Sequence, residues 1–282
     1  MKPYSSLFHP HKSWVDIFLS LIFPFLLPVA AVAAHPPLDS SVDAQHVLSK
    51  LRKDLCKLEI STVVKMVKEW ASLCGCQAIV ECECSIPINT KELAAGFDFL
   101  QLHEKPEGNH DDDSTRVIVR YPSSLFPSKA FEATKLTEMG LVDGGAASFD
   151  FSEVPLDVPL VVWFHGGGMI MGHARDPYST ELIIDAFHGL AAQEGDNKSP
   201  PPLAVTASVD YRLAPEHPFP AAVMDAVSVV VHILKSNPQR QVHLAGSSAG
   251  ANLAAVCAME VHRMQPGRIQ RSVPVFSFER HV

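Results

Sequence analysis

From residue 41 to residue 74 the apolar positions follow a helical period. Val47, Leu48, Leu51, Leu55 and Leu58, then Val63, Val64, Val67 and Trp70, stand three and four apart with Lys and Glu between them. This predicts one or two amphipathic helices, each turning its stripe to a core. Val117-Ile118-Val119 predicts a short strand, preceded by the acidic loop Asn109 to Ser114 and ended by Tyr121-Pro122. Gly140 to Asp157, rich in Gly, Ala and Asp, predicts a loop. From Val158 onward short apolar runs alternate with helical stretches. Pro159 to Phe164, Leu203 to Val209 and Val242 to Ala245 are too short for buried helices and predict buried strands. Ala221 to Ser236 and Gly250 to Arg263 predict helices, and Val273 to Phe278 one further strand. Alternation of this kind requires a mostly parallel sheet with crossover helices, so the fold class is α/β.

One stretch fits neither period. Ile17 to Ala34 carries no charge anywhere along its length, with Lys2 and Lys12 before it and His35-Pro36-Pro37 after it. A basic flank, an apolar core and the small residues Ala31-Val32-Ala33 match a secretory signal, cleaved after Ala33 or Ala34. The second reading is an uncleaved anchor, for which the stretch is near the lower limit of length and Pro24 and Pro28 remove backbone donors. The third is a buried helix of the fold. The first two bring the chain to the secretory pathway, secreted or anchored in the endoplasmic reticulum membrane, with residues 17–34 as the point of membrane association. The chain then divides into a leader (1–34), an amino-terminal helical or cap region (35–114) and an α/β domain (115–282).

The 282 residues, 47% hydrophobic and 19% charged, exclude global disorder and fibrous folds. A net charge of -8 without a Lys/Arg stripe excludes nucleic acid as a partner. Five of the six cysteines lie between Cys56 and Cys84. In an oxidising lumen this clustering reads as one or two local disulfides rather than zinc, whose ligands show two-residue gaps. The bland alternative is small buried hydrophobes. Asn197-Lys198-Ser199, in a polar, proline-rich stretch, is an acceptor for N-glycosylation if the chain is lumenal.

The sharpest local feature is Val242-His243-Leu244-Ala245-Gly246-Ser247-Ser248-Ala249-Gly250, a strand that runs through Gly-x-Ser-x-Gly into a helix. A serine on such a turn needs small neighbours, and the helix aims its amides and positive dipole end at the serine oxygen. Ser248 is therefore the candidate nucleophile, although a Ser/Gly/Ala-rich turn also serves close packing alone. Well before it, at the end of the first apolar strand, stands His165-Gly166-Gly167-Gly168. The Gly166 and Gly167 amides, with that of Ala249, can donate to the oxyanion formed when an ester carbonyl is attacked. His165, Gly168, Gly246 and Gly250 support these turns.

HGGG at 165–168, DYRLAPEHPFPAA at 210–222 and GSSAGANLA at 246–254 occur in an order and spacing that resemble the hormone-sensitive lipase branch of the α/β-hydrolases, which includes bacterial esterases, arylacetamide deacetylases and plant carboxylesterases. The resemblance covers about residues 115–278. It implies an α/β-hydrolase fold, serine hydrolysis of carboxylic esters through an acyl-enzyme, no cofactor and no metal, a small-molecule ester or other apolar ligand as partner with the oligomeric state open, and amino-terminal helices that cap the acyl pocket. Residues 41–74 are candidates for that cap. Two positions depart from the pattern: Ser247 replaces the usual Asp before the nucleophile, and Ala251 replaces a glycine after it. The family's order of triad members is Ser, acid, His, and the stretch from Ala249 to Val282 has room only for a helix and one more strand. The acid and base are thus expected beyond residue 282, with the last strands of the sheet missing. This predicts the amino-terminal two thirds of a carboxylesterase, inactive alone and poorly soluble through its exposed sheet edge. The alternatives are a non-catalytic small-molecule binder, as in the gibberellin receptors of the same family, and a nonfunctional truncated product. Glu279, His281, His217 and His232 are assigned no catalytic role.

Overall fold

A computed structural model describes residues 60–88, 114–126, 140–145, 149–193 and 202–275, together with positions 46, 49, 50, 52, 136 and 137. The leader at 17–34, Cys56, the sequon at 197–199 and residues 276–282 lie outside these. Among the described residues no helix is long and apolar enough to cross a membrane.

Seven strands form one mixed sheet: β1 (Ile79–Pro87), β2 (Ser114–Pro122), β3 (Val142–Asp143), β4 (Leu160–Phe164), β5 (Val205–Asp210), β6 (Val242–Ser247) and β7 (Ile269–Val275). Their order is β3-β1-β2-β5-β4-β6-β7. β1 pairs antiparallel with β2, and β2 with β5. β4 pairs parallel with both β5 and β6, and β6 with β7. Among the described residues four helices flank the sheet: α1 (Ile60–Leu73), α2 (Tyr178–Gln193), α3 (Ala221–Ser236) and α4 (Ala249–Met264).

Strand alternation sends successive residues to opposite faces, and both faces are covered. In β4, Leu160, Val162 and Phe164 join one core with α3 and α4, through Ala226, Val230, Ile233, Leu253, Ala254 and Cys257. Val161 and Trp163 join a second core with α1 and α2, through Val67, Trp70, Ile183 and Phe187. The short all-apolar run is thus a strand buried on both sides, as expected of a parallel sheet.

The structure departs from the sequence reading in several places. β1 is absent from that reading: Val80, Cys82, Cys84 and Ile86 alternate into the first core, a two-residue period carried partly by cysteines. α2 is absent from it too. β2 begins at Ser114 and runs through Tyr121-Pro122, because β1 supplies a ladder partner at every position, joined by β5 from Arg116 to Arg120. Gly140–Asp157 contains the short strand β3 and a single 3₁₀ turn at Phe151–Glu153. Residues 60–73 of the expected cap form α1, whose stripe is taken up by the second core against α2 and the sheet. Cys74, Cys76, Cys82, Cys84 and Cys257 are thiols, not disulfides.

Candidate active site

β4 and β6 are adjacent and parallel, with Phe164 opposite Gly246, so both strands finish side by side. Beyond Ser247 the chain reverses within one residue. Ser248 has φ 50° and ψ −114°, a backbone conformation that a side chain rarely adopts, and it is exposed. Its carbonyl accepts the first bonds of α4, from the amides of Ala251 at 3.0 Å and Asn252 at 3.3 Å. The Ala249 amide lies ahead of these bonds, at the positive end of the helix.

Small residues at both flanks are required by contact. A Cβ on Gly250 would stand 1.9 Å from the Phe164 carbonyl oxygen and 2.4 Å from that of His165; one on Gly246 would stand 2.4 Å from the Gly250 carbonyl. The turn therefore rests directly on the end of β4. Ser247, the replacement for the expected Asp, is buried, and Ala251 is fully buried without crowding its helix.

Of the three glycines after His165, Gly166 lies against this turn. A Cβ on Gly166 would stand 3.0 Å from Ser247 Oγ and 3.6 Å from Ser248 Cβ. Gly167 has φ 109°, and its carbonyl accepts the Ile170 and Met171 amides at 3.1 Å each, which closes a tight turn around Gly168. A side chain at 167 would strike the Met171 carbonyl at 2.2 Å. The structure thus brings Gly166, Ser248 and Ala249 together, with Gly167 adjoining in the chain.

His165 is 1% exposed. Its ring stacks on Tyr211 with centroids 4.1 Å apart, and Nδ1 donates to the Gly166 carbonyl at 2.7 Å. Burial pushes its pKa down to about 4, so the imidazole is neutral and committed to the loop. The Tyr211 hydroxyl donates to the His165 carbonyl at 2.7 Å. Among the described residues no hydrogen bond joins a histidine to the Ser248 hydroxyl.

The segment after β5 carries the fastenings. Asp225, buried on α3, accepts the Arg212 backbone amide at 2.8 Å and its guanidinium at 2.7 Å. Asp210 accepts the Ala174 amide at 2.8 Å and Arg116 Nε at 2.8 Å. The Ala214 amide donates to the Met169 carbonyl at 2.9 Å. Arg52 reaches both loops: Nη2 donates to the carbonyls of Ile170 at 2.6 Å and Ala214 at 2.9 Å, and Nη1 to Glu216 at 3.0 Å. Arg52, Arg116, His173, Asp210, Tyr211 and Leu213, with Gly172, line a cleft of about 280 Å³. Ser248 is not among its lining residues.

Asp210, Tyr211 and Arg212 stand inside the middle motif of the sequence, which by itself assigns them no role. Asp225 has one available signal, a carboxylate on a helix whose other positions are almost all apolar. Arg52 has none. Among the described residues no cluster of His, Cys, Asp and Glu could hold a metal ion.

A family model described as alpha/beta hydrolase fold matches residues 161–277, the segment from β4 to just past β7. Curated relatives include Esterase LipI of Mycobacterium tuberculosis, 35% identical over 113 residues that cover 38% of this chain and 31% of the relative. Carboxylesterase NlhH of the same organism is 32% identical over 148 residues, covering 50% and 41%. Probable carboxylesterase 1 of Arabidopsis thaliana is 36% identical over 119 residues, covering 38% and 34%. The chain spans about a third to two fifths of the length of these relatives. The segment from β4 to just past β7, with the strand-turn-helix built there around Ser248, thus has the alpha/beta hydrolase fold and is similar to these carboxylesterases.

Proposed function

We propose that the chain is a serine hydrolase of carboxylic esters that works through an acyl-enzyme, with Ser248 as nucleophile. The observation that carries this reading is the backbone at Ser248, an exposed hydroxyl held at φ 50° on a turn pressed against the end of β4. Strain of this kind costs on the order of 1–3 kcal/mol and persists only where its surroundings impose it. In the reaction, Ser248 Oγ bonds to the acyl carbon while its proton passes to a general base outside the described residues. The carbonyl oxygen becomes an oxyanion held by the amides of Gly166, Gly167 and Ala249. Collapse expels the alcohol with a proton from that base, and water then repeats the sequence to release the acid. His165, Gly168, Gly246 and Gly250 shape the turns and make no bond to substrate.

Removal of a triad member typically costs about 10⁴ to 10⁶ in turnover but leaves about 10³ to 10⁴ over water from binding and the oxyanion amides. These 282 residues alone are therefore expected to be poor catalysts whose Ser248 reacts slowly yet selectively. A fluorophosphonate probe tests this: slow, stoichiometric labelling that disappears in Ser248→Ala supports the hydrolase. A folded chain without any label overturns it. The second reading, binding of a small apolar ligand or ester without turnover, is favoured by the absence of a histidine at Ser248 among the described residues. It is supported if the unlabelled chain retains an ester intact. The uncharged stretch 17–34 supports a place in the secretory pathway, secreted or membrane-anchored; amino-terminal sequencing of the mature protein separates the two.

A further inference from the structure

α1 ends in Cys74-Gly75-Cys76, directly before β1. Three backbone bonds wind the chain tightly there: the Cys74 amide donates to Trp70, that of Gly75 to Ser72 and that of Cys76 to Ala71, each at 3.0 Å. Gly75 takes φ 60°, the left-handed turn that ends a helix. The result holds two thiols of unequal access one residue apart across a single tight turn. Cys74 is 1% exposed beneath Trp70, whereas Cys76 is partly open to solvent. Cys76 Sγ also lies 3.2 Å from the Ala78 carbonyl. Each sulfur is the leading influence on the other, raising Cys74 and lowering Cys76, so Cys76 is the readier of the two to form a thiolate.

The other described cysteines are built differently. Cys82 and Cys84 are both buried on one face of β1, where two strand rises of about 3.3 Å separate their Cα atoms by close to the upper limit for a disulfide. Burial pushes Cys84 up to about 11, and Cys257, fully buried in α4, is raised as well. Neither combines access with a resolving partner.

We propose that Cys74 and Cys76 are a redox-active dithiol, oxidised by a small-molecule disulfide to an intramolecular disulfide that ties the end of α1 to the start of β1. The thiolate of Cys76 attacks one sulfur of the reagent, forming a mixed disulfide and expelling one thiolate. Cys74 then gives up its proton and attacks Cys76 Sγ, expelling the second. Two protein thiols are oxidised and one disulfide is reduced to two thiols, so electrons and protons balance. This chemistry is independent of Ser248 and of the hydrolase reading.

The test is a thiol count on the folded full chain with Cys56→Ser, treated with 5,5′-dithiobis(2-nitrobenzoate). The expected result is rapid release of two thionitrobenzoates per chain with no adduct retained and a mass two hydrogens lower, the new bond mapping to Cys74 and Cys76. Adding Cys74→Ser should release one and keep the adduct on Cys76; adding Cys76→Ser should release almost none. A variant that had lost its fold would release more, through Cys82, Cys84 and Cys257, so misfolding is read from the same count. An adduct persisting on Cys76 while Cys74 is present, or earlier consumption of Cys82 or Cys84, overturns the proposal.

Discussion

Glu81 and Arg120 face each other across β1 and β2, 5% and 0% exposed, and removing either should have very different consequences. Arg120 Nε donates to Glu81 Oε2 at 2.9 Å, its Nη1 reaches Ser179 and Thr180 only at 3.4 Å, and its Nη2 has no partner among the described residues. Glu81 has a second cation, with Arg175 Nε on Oε1 at 2.9 Å. Glu81→Met thus strands a fully buried guanidinium, a loss of about 3–5 kcal/mol. Arg120→Met removes an already unsatisfied Nη2 and leaves Glu81 paired, so it should cost no more than about 2 kcal/mol. The double variant should resemble Arg120→Met, because the stranded charge is gone. Urea unfolding followed by the fluorescence of buried Trp70 and Trp163 reads this directly. At a slope of about 3 kcal/mol per M, Glu81→Met lowers the midpoint by about 1 to 1.7 M. An Arg120→Met variant as damaged as Glu81→Met, or a double variant no better than Glu81→Met, would refute the reasoning.

Gly250→Ala should abolish fluorophosphonate labelling of Ser248 and lower stability by about 1–3 kcal/mol, since the added methyl must displace the Phe164 carbonyl 1.9 Å away. His165, held near 4 against an ordinary 6.5, is protonated first in the unfolded chain. The stability tied to its neutral form is whole above about pH 6.5 and is lost, on the order of 3 kcal/mol, as pH falls toward 4; His165→Phe, which keeps a ring on Tyr211, should flatten that part of the urea-midpoint profile. Arg52→Ala should speed amide exchange at Ile170 and Met171 about tenfold, the value of a bond of about 1.4 kcal/mol after allowance for its exposure. The Arg52 hydrogen bond holds the Glu216 carboxyl below its ordinary value, so the fastening is complete at neutral pH and is lost as pH falls through that lowered value; exchange that stays pH-independent would count against it.

α3 was legible to the residue, because an apolar helical run lies between Pro220 and Asn237-Pro238, which cannot continue it. β4, β5 and β6 were legible because a strand covered on both faces needs no polar positions. β1 was not, because its two-residue period is written in cysteines and glutamates, the residues that chemistry claims first. Glu81 is a polar position of this strand that is buried, while Glu83 on the same face is half exposed, and only the arginines of β2 and Arg175 make that burial legible. At the elbow, small residues flanking a serine were visible as a pattern. The contact that demands them, the end of β4 lying under Gly250, is a tertiary fact between distant parts of the chain.

The site's precision comes from carboxylates outside its motif centres. Gly166, Gly167 and Gly168 bear no side chain that could hold them, so their geometry is imposed from both ends and from beneath. At its far end the Ala174 amide is tied to Asp210 and Arg175 to Glu81 and Glu83. At its near end Tyr211 holds the His165 carbonyl and ring, and Tyr211 is in turn fixed by its neighbour Arg212 on Asp225. Donors that stabilise a developing charge gain their advantage from being fixed before the charge appears. The buried ion pairs of this face are poor sources of stability, and a hydrophobic replacement of the whole set would cost the fold little. Their value lies in the segment they immobilise: the same charges that make β1 hard to read from its sequence tie down Arg175, nine residues beyond Gly166.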